Sequence, residues 1–479
     1  MNNRYLALVL TILAAVPAWA QQVPDTLAGR QFAAWLAAFN SGDKQTLRKF
    51  VAENEPSRLA HLDDVMGFRE QTGGFEFMKA EESAPYRLTG IVKERNSDQY
   101  GRFTINLETA EPHYITGIGF QAISTPAEFK GAHAVTMPRL SESAAIAALR
   151  AELEKRVAED RFAGTVLVAK NDKAIFSGAY GMADREKKVP NTLDTRFRIG
   201  SMNKMFTAVA ILQLAQAGKI KLTDPLVRYL PDYPNKELAS KVTIQHLLTH
   251  TGGTGDFFGP QFEAHRLELR THDDYVKLYG TRAVEFEPGS KWEYSNYGFI
   301  LLGEVIEHVT GGSYYDYVRK HIFEPAGMAS TDSLPEDQNV ALRSVGYTKE
   351  GNDAKSADWR PNTDTLPYRG IAAGGGYSTV GDLVRFASAL QAHKLLNAEY
   401  TDLLTTGKVD TPSGMYAYGF TDRTFNGVRC FGHGGGAPGM NGELEICPSS
   451  GYVVAALANL DPPAAEQIAS LMTRTLPDK

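Results

Sequence analysis

The 479-residue chain has only two cysteines and no run of lysines or arginines. Its formal net charge is −6, and it has no cluster of positive charge that would bind a phosphate backbone or an anionic membrane surface. Nucleic acid is therefore not expected as a partner. Internal repeats and low-complexity tracts are also absent. The length and the apolar fraction of 43% predict at least two domains, each with a sizeable core.

The chain also lacks an apolar run long enough to span a membrane. The run from Tyr5 to Val16 follows one positive charge, and Ala18-Trp19-Ala20 then makes an A-x-A cleavage site. This pattern predicts an export signal over residues 1–20, with an uncleaved anchor as the alternative. The residue directly after Ala20 is not a cysteine, which disfavours a lipoprotein. We expect a periplasmic or secreted protein that has no membrane span once the signal is removed; the sequence assigns no oligomeric state.

Residues 21–132 predict a small α+β domain. From Thr26 to about Glu70 the apolar positions recur at helical spacing, and from Gly74 to Ile123 the pattern changes to strands broken by turns. Helices followed by antiparallel strands are typical of an α+β domain. In element order it resembles the nuclear-transport-factor-2-like fold. Residues 133–140 have no periodicity and are the expected linker.

Residues 141–479 predict a second, larger domain with a sheet built from both of its ends. A helix starts at Glu142, and two strands follow, joined by the turn Asn171-Asp172. Residues from about 222 to 333 are mostly of helical pattern. Strand patterns return between Val428 and Ala458, and a helix closes the chain. We therefore expect a helical insert within an α/β domain.

A candidate nucleophile precedes the most apolar helical stretch of this domain. Ser201 stands three residues before Lys204, and the apolar run continues to Ala217. On a helix these two side chains share a face, so the amine can activate the hydroxyl if burial lowers the pKa of the lysine. Ser41 and Lys44 have the same spacing, but they lie in a polar Gly-Asp break that indicates a turn or helix cap.

Two further elements could complete a catalytic cleft. Tyr294 and Asn296 follow a Pro-Gly turn, and residues i and i+2 of an extended segment point the same way. The competing Tyr233-Pro234-Asn235 lies in a proline-rich turn and is interpreted as structural. The glycine-rich stretch His433 to Gly436 offers close access to backbone N–H groups, with a plain hairpin turn as the alternative.

These motifs resemble those of one family, the serine hydrolases of the class C β-lactamase, penicillin-binding protein and family VIII esterase group. The resemblance covers Ser141 to Leu476 and includes supporting segments at residues 247–253 and 374–379 with Asp382. It implies a β-lactamase-like α/β fold, in which an antiparallel sheet is flanked by helices and carries an all-α insert. It also implies an acyl-enzyme reaction without cofactor or metal ion.

The resemblance also implies a role for each site residue. Ser201 would be the nucleophile, Lys204 its proton partner, and Tyr294 a general base that later protonates the leaving group. Asn296 would orient the substrate and the lysine. The third motif, His433 with Gly434 and Gly435, would bind substrate, and the N–H groups of Ser201 and Gly436 would form the oxyanion hole. Whether Lys204 or Tyr294 takes the first proton stays open.

The third motif departs from the Lys-Thr-Gly of typical class C β-lactamases. His433 offers at most a partial charge and no hydroxyl, so we expect weak recognition of a penicillin carboxylate. The expected substrate is an ester, peptide or amide. The alternatives are a D-amino-acid-specific peptidase or β-lactamase acting on cell-wall-type substrates, and a non-catalytic binding protein of the same fold.

Two smaller predictions concern histidines and cysteines. His246 and His250 have the i, i+4 spacing of a zinc pair, but the glutamate of a metalloprotease helix is missing, so we expect a packing or capping role. Cys430 and Cys447 lie on the arms of a hairpin whose turn is Pro438-Gly439. Folding the arms about that turn places the cysteines opposite each other, which predicts a disulfide. Two buried thiols in a shifted register are the alternative.

Overall fold

The structure is a computed structural model that describes residues 22–95, 97, 99–129, 138–349, 358–412 and 414–479. The predicted export signal and most of the predicted linker lie outside the described residues. The chain divides into two compact units, Met1–Val135 and Thr136–Lys479. Among the described residues, every helix is too short or too polar to cross a bilayer.

The described residues of the first unit form three α-helices followed by four strands, in the predicted order. Its elements are Leu27–Ser41 (α1), Lys44–Asn54 (α2), Leu62–Thr72 (α3), Phe75–Ala84 (β1), Arg87–Glu94 (β2), Tyr100–Leu107 (β3) and Ile115–Ile123 (β4). Gly42 ends α1 in the left-handed region, and the Asp43 side chain accepts from two N–H groups at the start of α2. The Ser41–Lys44 stretch is therefore a turn between helices, as predicted.

The four strands of this unit form one antiparallel sheet in sequence order. The buried face of α1 packs on it through stacked rings, with the Phe32 and Phe103 centroids 3.8 Å apart. Trp35 and Phe39 belong to the same apolar core. The resemblance of this unit to the nuclear-transport-factor-2-like fold stays a prediction.

The second unit has helices on both faces of one large sheet. Its helices are Glu142–Ala158 (α4), Asn203–Gln216 (α5), Lys236–Lys241 (α6), Ile244–Leu248 (α7), Pro260–His265 (α8), His272–Tyr279 (α9), Asn296–Thr310 (α10), Tyr314–Val318 (α11), Glu324–Ala326 (α12), Val380–Gln391 (α13), Ala398–Thr405 (α14) and Ala464–Thr475 (α15). Every helix from α6 to α12 lies between residues 222 and 333, the stretch predicted to be mostly helical.

The strands of this unit come mainly from its two ends. They are Gly164–Lys170 (β5), Lys173–Tyr180 (β6), Met182–Asp184 (β7), Val189–Pro190 (β8), Phe197–Arg198 (β9), Tyr347–Thr348 (β10), Arg360–Pro361 (β11), Tyr377–Ser378 (β12), Val409–Thr411 (β13), Gly414–Tyr416 (β14), Thr421–Phe425 (β15), Val428–Ala437 (β16), Met440–Cys447 (β17) and Tyr452–Ala458 (β18). The main antiparallel sheet has the order β13-β14-β15-β16-β17-β18-β5-β6.

Alternating residues of β18 serve two separate cores. Val454 and Ala456 belong to the core that includes α4 and α15, whereas Ala455 and Leu457 belong to the larger core around α5, α10 and α13. This alternation is the period of two expected for a strand covered on both faces. Helix α5, which follows Ser201, is thus packed against the central strands.

β16 and β17 form a hairpin whose two-residue turn is Pro438-Gly439. Phe431 lies opposite Ile446, so Cys430 and Cys447 face each other on the next rung of the ladder. The two cysteines are joined by a disulfide, with their Cα atoms 4.2 Å apart. Both are buried in a small apolar cluster. The bond ties β16, the strand that carries the glycine-rich motif, to β17.

Candidate active site

Ser201 lies on a single 3₁₀ turn, Gly200–Met202, that leads directly into α5. Twelve of the fourteen residues of α5 are buried, as expected for a helix that is apolar all round. Ser201 itself keeps partial access to solvent. The helix therefore carries an ionisable residue, Lys204, into the interior next to the partly exposed Ser201.

The Lys204 amine contacts three oxygen atoms. Its Nζ lies 3.0 Å from Ser201 Oγ, 2.6 Å from Asn296 Oδ1 and 2.6 Å from the carbonyl oxygen of Ala373. The side chain is fully buried, and its amine lies 4.7 Å from the centre of the Tyr294 ring. Burial lowers the pKa of the Lys204 amine to about 7, while the negative charge of Asp256 acts in the opposite direction.

A neutral amine fits this arrangement in one way only. It has two N–H donors and one lone pair. The two carbonyl-type oxygens at 2.6 Å accept the two hydrogens, so the lone pair faces Ser201 Oγ. Near pH 7 a sizeable fraction of the lysine is therefore ready to accept the serine proton.

Tyr294 faces the same pair from the other side. Burial raises the pKa of its phenol well above the ordinary value, and a hydrogen bond with Ser201 offsets part of that rise. The ring packs against the His250 ring, with centroids 4.2 Å apart. A phenol that stays protonated is suited to donate a proton rather than to take the first one.

Asn296 reaches Lys204 by a different route from the predicted one. The sequence placed Tyr294 and Asn296 in one extended segment, but Asn296 is the first residue of α10 and Ser295 is its N-cap. The Ser295 hydroxyl accepts from the Gly298 N–H at 2.9 Å, which fixes the start of the helix. Tyr294 and Asn296 still meet at Lys204. Tyr233, the competing tyrosine, is buried and its hydroxyl contacts that of Tyr297.

Two contacts of the site were missed by the sequence analysis. The Ala373 carbonyl belongs to the loop before β12, and Thr207 and His272 hold the neighbouring Ala372 through its carbonyl and N–H groups. The Asp256 carboxylate accepts a hydrogen bond from Asn296 Nδ2 at 2.8 Å. Neither residue stands in a motif, although Asp256 follows the glycines of the 247–253 segment that resembled the family.

His433 is engaged in a buried network rather than turned to the cleft. Only 5% of it is exposed. The Ser295 N–H donates to His250 Nδ1 at 3.1 Å, so His250 Nε2 carries the hydrogen toward the Tyr416 hydroxyl at 3.0 Å. Tyr416 then donates to His433 Nε2 at 2.9 Å, and His433 Nδ1 donates to the Gly434 carbonyl.

Each imidazole in this network accepts a hydrogen bond at one ring nitrogen and donates one at the other, as a neutral imidazole does. Burial, and secondly the charge of Lys204, lower the pKa of His433 to about 3. Burial likewise holds the pKa of His250 well below its usual value. His433 therefore brings no positive charge to the third motif, and all its ring nitrogens have protein partners.

His246 and His250 have separate structural roles. His246 Nδ1 accepts from the Thr243 N–H and completes a capping box at the start of α7, the predicted capping role. His250 points instead to Tyr416. Among the described residues, no group of three or more His, Cys, Asp or Glu side chains could hold a metal ion.

The glycine-rich strand comes close to the backbone of the nucleophile. β15 pairs with β16 only as far as Gly432, whereas β17 stays paired with β16 as far as Ala437. A Cβ on Gly435 would lie 2.0 Å from the Ile199 carbonyl oxygen and 3.0 Å from the Ser201 amide nitrogen. A Cβ on Gly200 would lie 2.9 Å from the Gly436 nitrogen. Only glycine permits this approach.

The chain is similar to known proteins. A family model described as Beta-lactamase matches residues 149–474, which include Ser201, Tyr294 and His433. The chain is similar to penicillin-binding protein 4 of Amycolatopsis lactamdurans, with 30% identity over 63% of this chain and 82% of that protein.

Solved structures are similar as well. A penicillin-binding protein from Bacillus halodurans shares 34% identity at a TM-score of 0.60, covering 66% of this chain and 97% of the other. A D-stereospecific amidohydrolase from Streptomyces sp. shares 30% identity at a TM-score of 0.58, covering 67% of this chain and 96% of the other.

Proposed function

Because the chain belongs to the β-lactamase family, we propose that it is a serine hydrolase that cleaves ester or amide bonds through an acyl-enzyme on Ser201. The observation that carries this proposal is the buried Lys204 amine, 3.0 Å from the accessible Ser201 hydroxyl. A protein that only binds ligands has no need of a buried amine directed at a serine.

The proposed reaction follows from the contacts of the site. Ser201 Oγ attacks the substrate carbonyl while its proton moves to Lys204. The oxyanion is stabilised by the N–H groups of Ser201 and Gly436. Tyr294 donates its proton to the departing alcohol or amine and recovers one from Lys204. Water then attacks the acyl-enzyme in the reverse sequence of proton transfers, which releases the acid and restores Ser201.

The third motif argues for substrates that lack the penicillin carboxylate. His433 is neutral, and its nitrogens are bonded to Tyr416 and Gly434. A substrate carboxylate would therefore meet neither an ammonium nor a hydroxyl from this residue. A second candidate within the same chemistry is an amide or peptide of a D-amino acid, which the similarity to the Streptomyces D-stereospecific amidohydrolase favours.

We expect the protein to hydrolyse a short p-nitrophenyl ester with a kcat/KM at least about 10²-fold above that for nitrocefin, because the carboxylate contact is missing. Initial rates for both chromogenic substrates at one pH measure the ratio. Similar values for the two would contradict the argument from His433. The p-nitroanilides of D- and L-alanine, assayed alongside, test the second candidate.

Intact-mass spectrometry tests the acyl-enzyme itself. The protein is exposed separately to activated esters, D-alanyl amides and penicillins, and the adduct mass identifies the acyl group transferred. An adduct with at least one ester or amide is expected. Turnover without any adduct, combined with a metal requirement, would contradict the proposal.

We also propose that the protein is exported. The A-x-A site at Ala18 to Ala20 and the Cys430–Cys447 disulfide both support an oxidising compartment. Mass spectrometry of the N-terminal peptide from the producing cell is expected to show a start near Gln21. A chain that begins at Met1 would overturn cleavage.

A further inference from the structure

Asp256 lies beside the catalytic lysine without touching it. It lies in the loop between α7 and α8, in which His250, Gly253 and Gly255 all have positive φ. Its Oδ1 accepts from the Phe257 N–H at 2.7 Å, and its Oδ2 accepts from Asn296 Nδ2 at 2.8 Å. Arg282 donates to its backbone carbonyl. The carboxylate is therefore held at both oxygens and directed at Asn296.

This contact decides which end of the Asn296 amide faces the lysine. The two ends of a side-chain amide have nearly the same shape, and only hydrogen bonding distinguishes them. An ionised carboxylate accepts and never donates, so Nδ2 must face Asp256. Oδ1 is then left to accept from Lys204 at 2.6 Å. With the amide reversed, its N–H₂ group would oppose the N–H groups of the lysine.

We propose that Asp256 is a positioning residue that fixes the Asn296 amide and thereby holds the Lys204 lone pair toward Ser201. The proposal rests on the proposed function, because it assigns Lys204 the role of base. It extends the machinery by one residue that makes no contact with the reacting atoms.

The charges around Lys204 are few, which makes the effect of Asp256 measurable. The polar groups facing the amine are Ser201, Asn296, the Ala373 carbonyl and the Tyr294 ring. His250 and His433 lie near it and stay neutral, whereas Arg282 is bonded to the backbone carbonyl of Asp256. Asp256 acts against burial by favouring the ammonium form. Its removal therefore lowers the pKa of Lys204 further.

The test compares three variants by the rate at which a fluorophosphonate labels Ser201 between pH 5 and 9, followed by intact mass. Asp256→Asn keeps the shape but loses the charge, and the midpoint of its acid limb is expected about one pH unit below that of the wild type. Asp256→Ala also loses the anchor for Asn296, so its plateau rate is expected to fall at least about 10-fold. Asp273→Asn removes an exposed carboxylate of α9 and is expected to match the wild type.

The outcomes test the role of Asp256 separately from the proposed function of the protein. A midpoint that stays at the wild-type value in both Asp256 variants would overturn the role of Asp256, whatever happens to the plateau, because a purely structural defect lowers the labelled fraction without moving the midpoint. If Asp256→Ala fails to fold, the nearly isosteric Asp256→Asn decides alone. A wild-type protein that is not labelled at Ser201 would overturn the proposed function instead, and this inference with it.

Discussion

Replacing Ser201 with alanine is expected to abolish covalent labelling by a fluorophosphonate and to lower ester turnover by at least about 10⁴-fold. Of the three described oxygen atoms that contact the buried Lys204 amine, only the Ser201 hydroxyl is a nucleophile, and alanine is expected to preserve both the 3₁₀ turn and the packing of α5. Labelling is measured by intact mass, and turnover with a p-nitrophenyl ester.

Ser41→Ala is the matched control. Ser41 has the same spacing to a lysine, but it lies at the end of α1, where its hydroxyl donates to the Ala38 carbonyl at 2.6 Å. This variant is expected to be labelled and to turn over like the wild type. An adduct that persists in Ser201→Ala would show that another residue is the nucleophile.

The second large effect is expected from Lys204→Met, which keeps a long unbranched side chain but has no amine. Loss of a positioned base is expected to reduce turnover by about 10²- to 10⁴-fold. Methionine suits a fully buried site, so the fold should be retained. Lys277→Met, at an exposed position on α9, is the control and is expected to have no effect.

The wild type should also reveal Lys204 through its pH profile. The lysine acts as a base only when it is neutral, and its pKa is lowered to about 7. Activity is therefore expected to fall as the pH drops below about 7, because binding of a single proton to Lys204 inactivates the site. His433 and His250 cannot produce this loss of activity at acid pH, because burial holds the pKa of His433 at about 3 and that of His250 well below its usual value. A flat profile from pH 5 to 9 would contradict Lys204 as the base.

The parts of this site that sequence could predict are those with a strong local pattern. The apolar run after Ser201 predicts α5, and the helical spacing then brings Lys204 to the serine without tertiary information. The Pro438-Gly439 turn fixes the register of the hairpin, which places the two cysteines opposite each other. The family resemblance from the ordered motifs is confirmed by the match over residues 149–474.

The missed residues act only through contacts that are distant in sequence. Ala373 contributes a backbone carbonyl, a group that every residue has. Asp256 becomes recognisable only when its loop packs against Asn296, and Tyr416 only when β14 brings its hydroxyl to His433. Strands β13 to β15, at one end of the main sheet, have three to five residues each. These are too few for an alternation of apolar and polar residues to be recognised in the sequence. Tertiary packing, rather than local propensity, decides these features.

The order of strands in the main sheet has a consequence for how the protein matures. β5 is paired on one side by β18, and contacting residues such as Lys170 and Tyr452 are 282 positions apart. Closing so long a loop is slow, so this sheet is expected to assemble late. Ser201, Lys204 and Tyr294 are all synthesised before β16 brings the backbone donor of Gly436. Under the proposed mechanism, a nascent chain that still lacks about its last fifty residues therefore has its nucleophile but not the Gly436 donor of its oxyanion site.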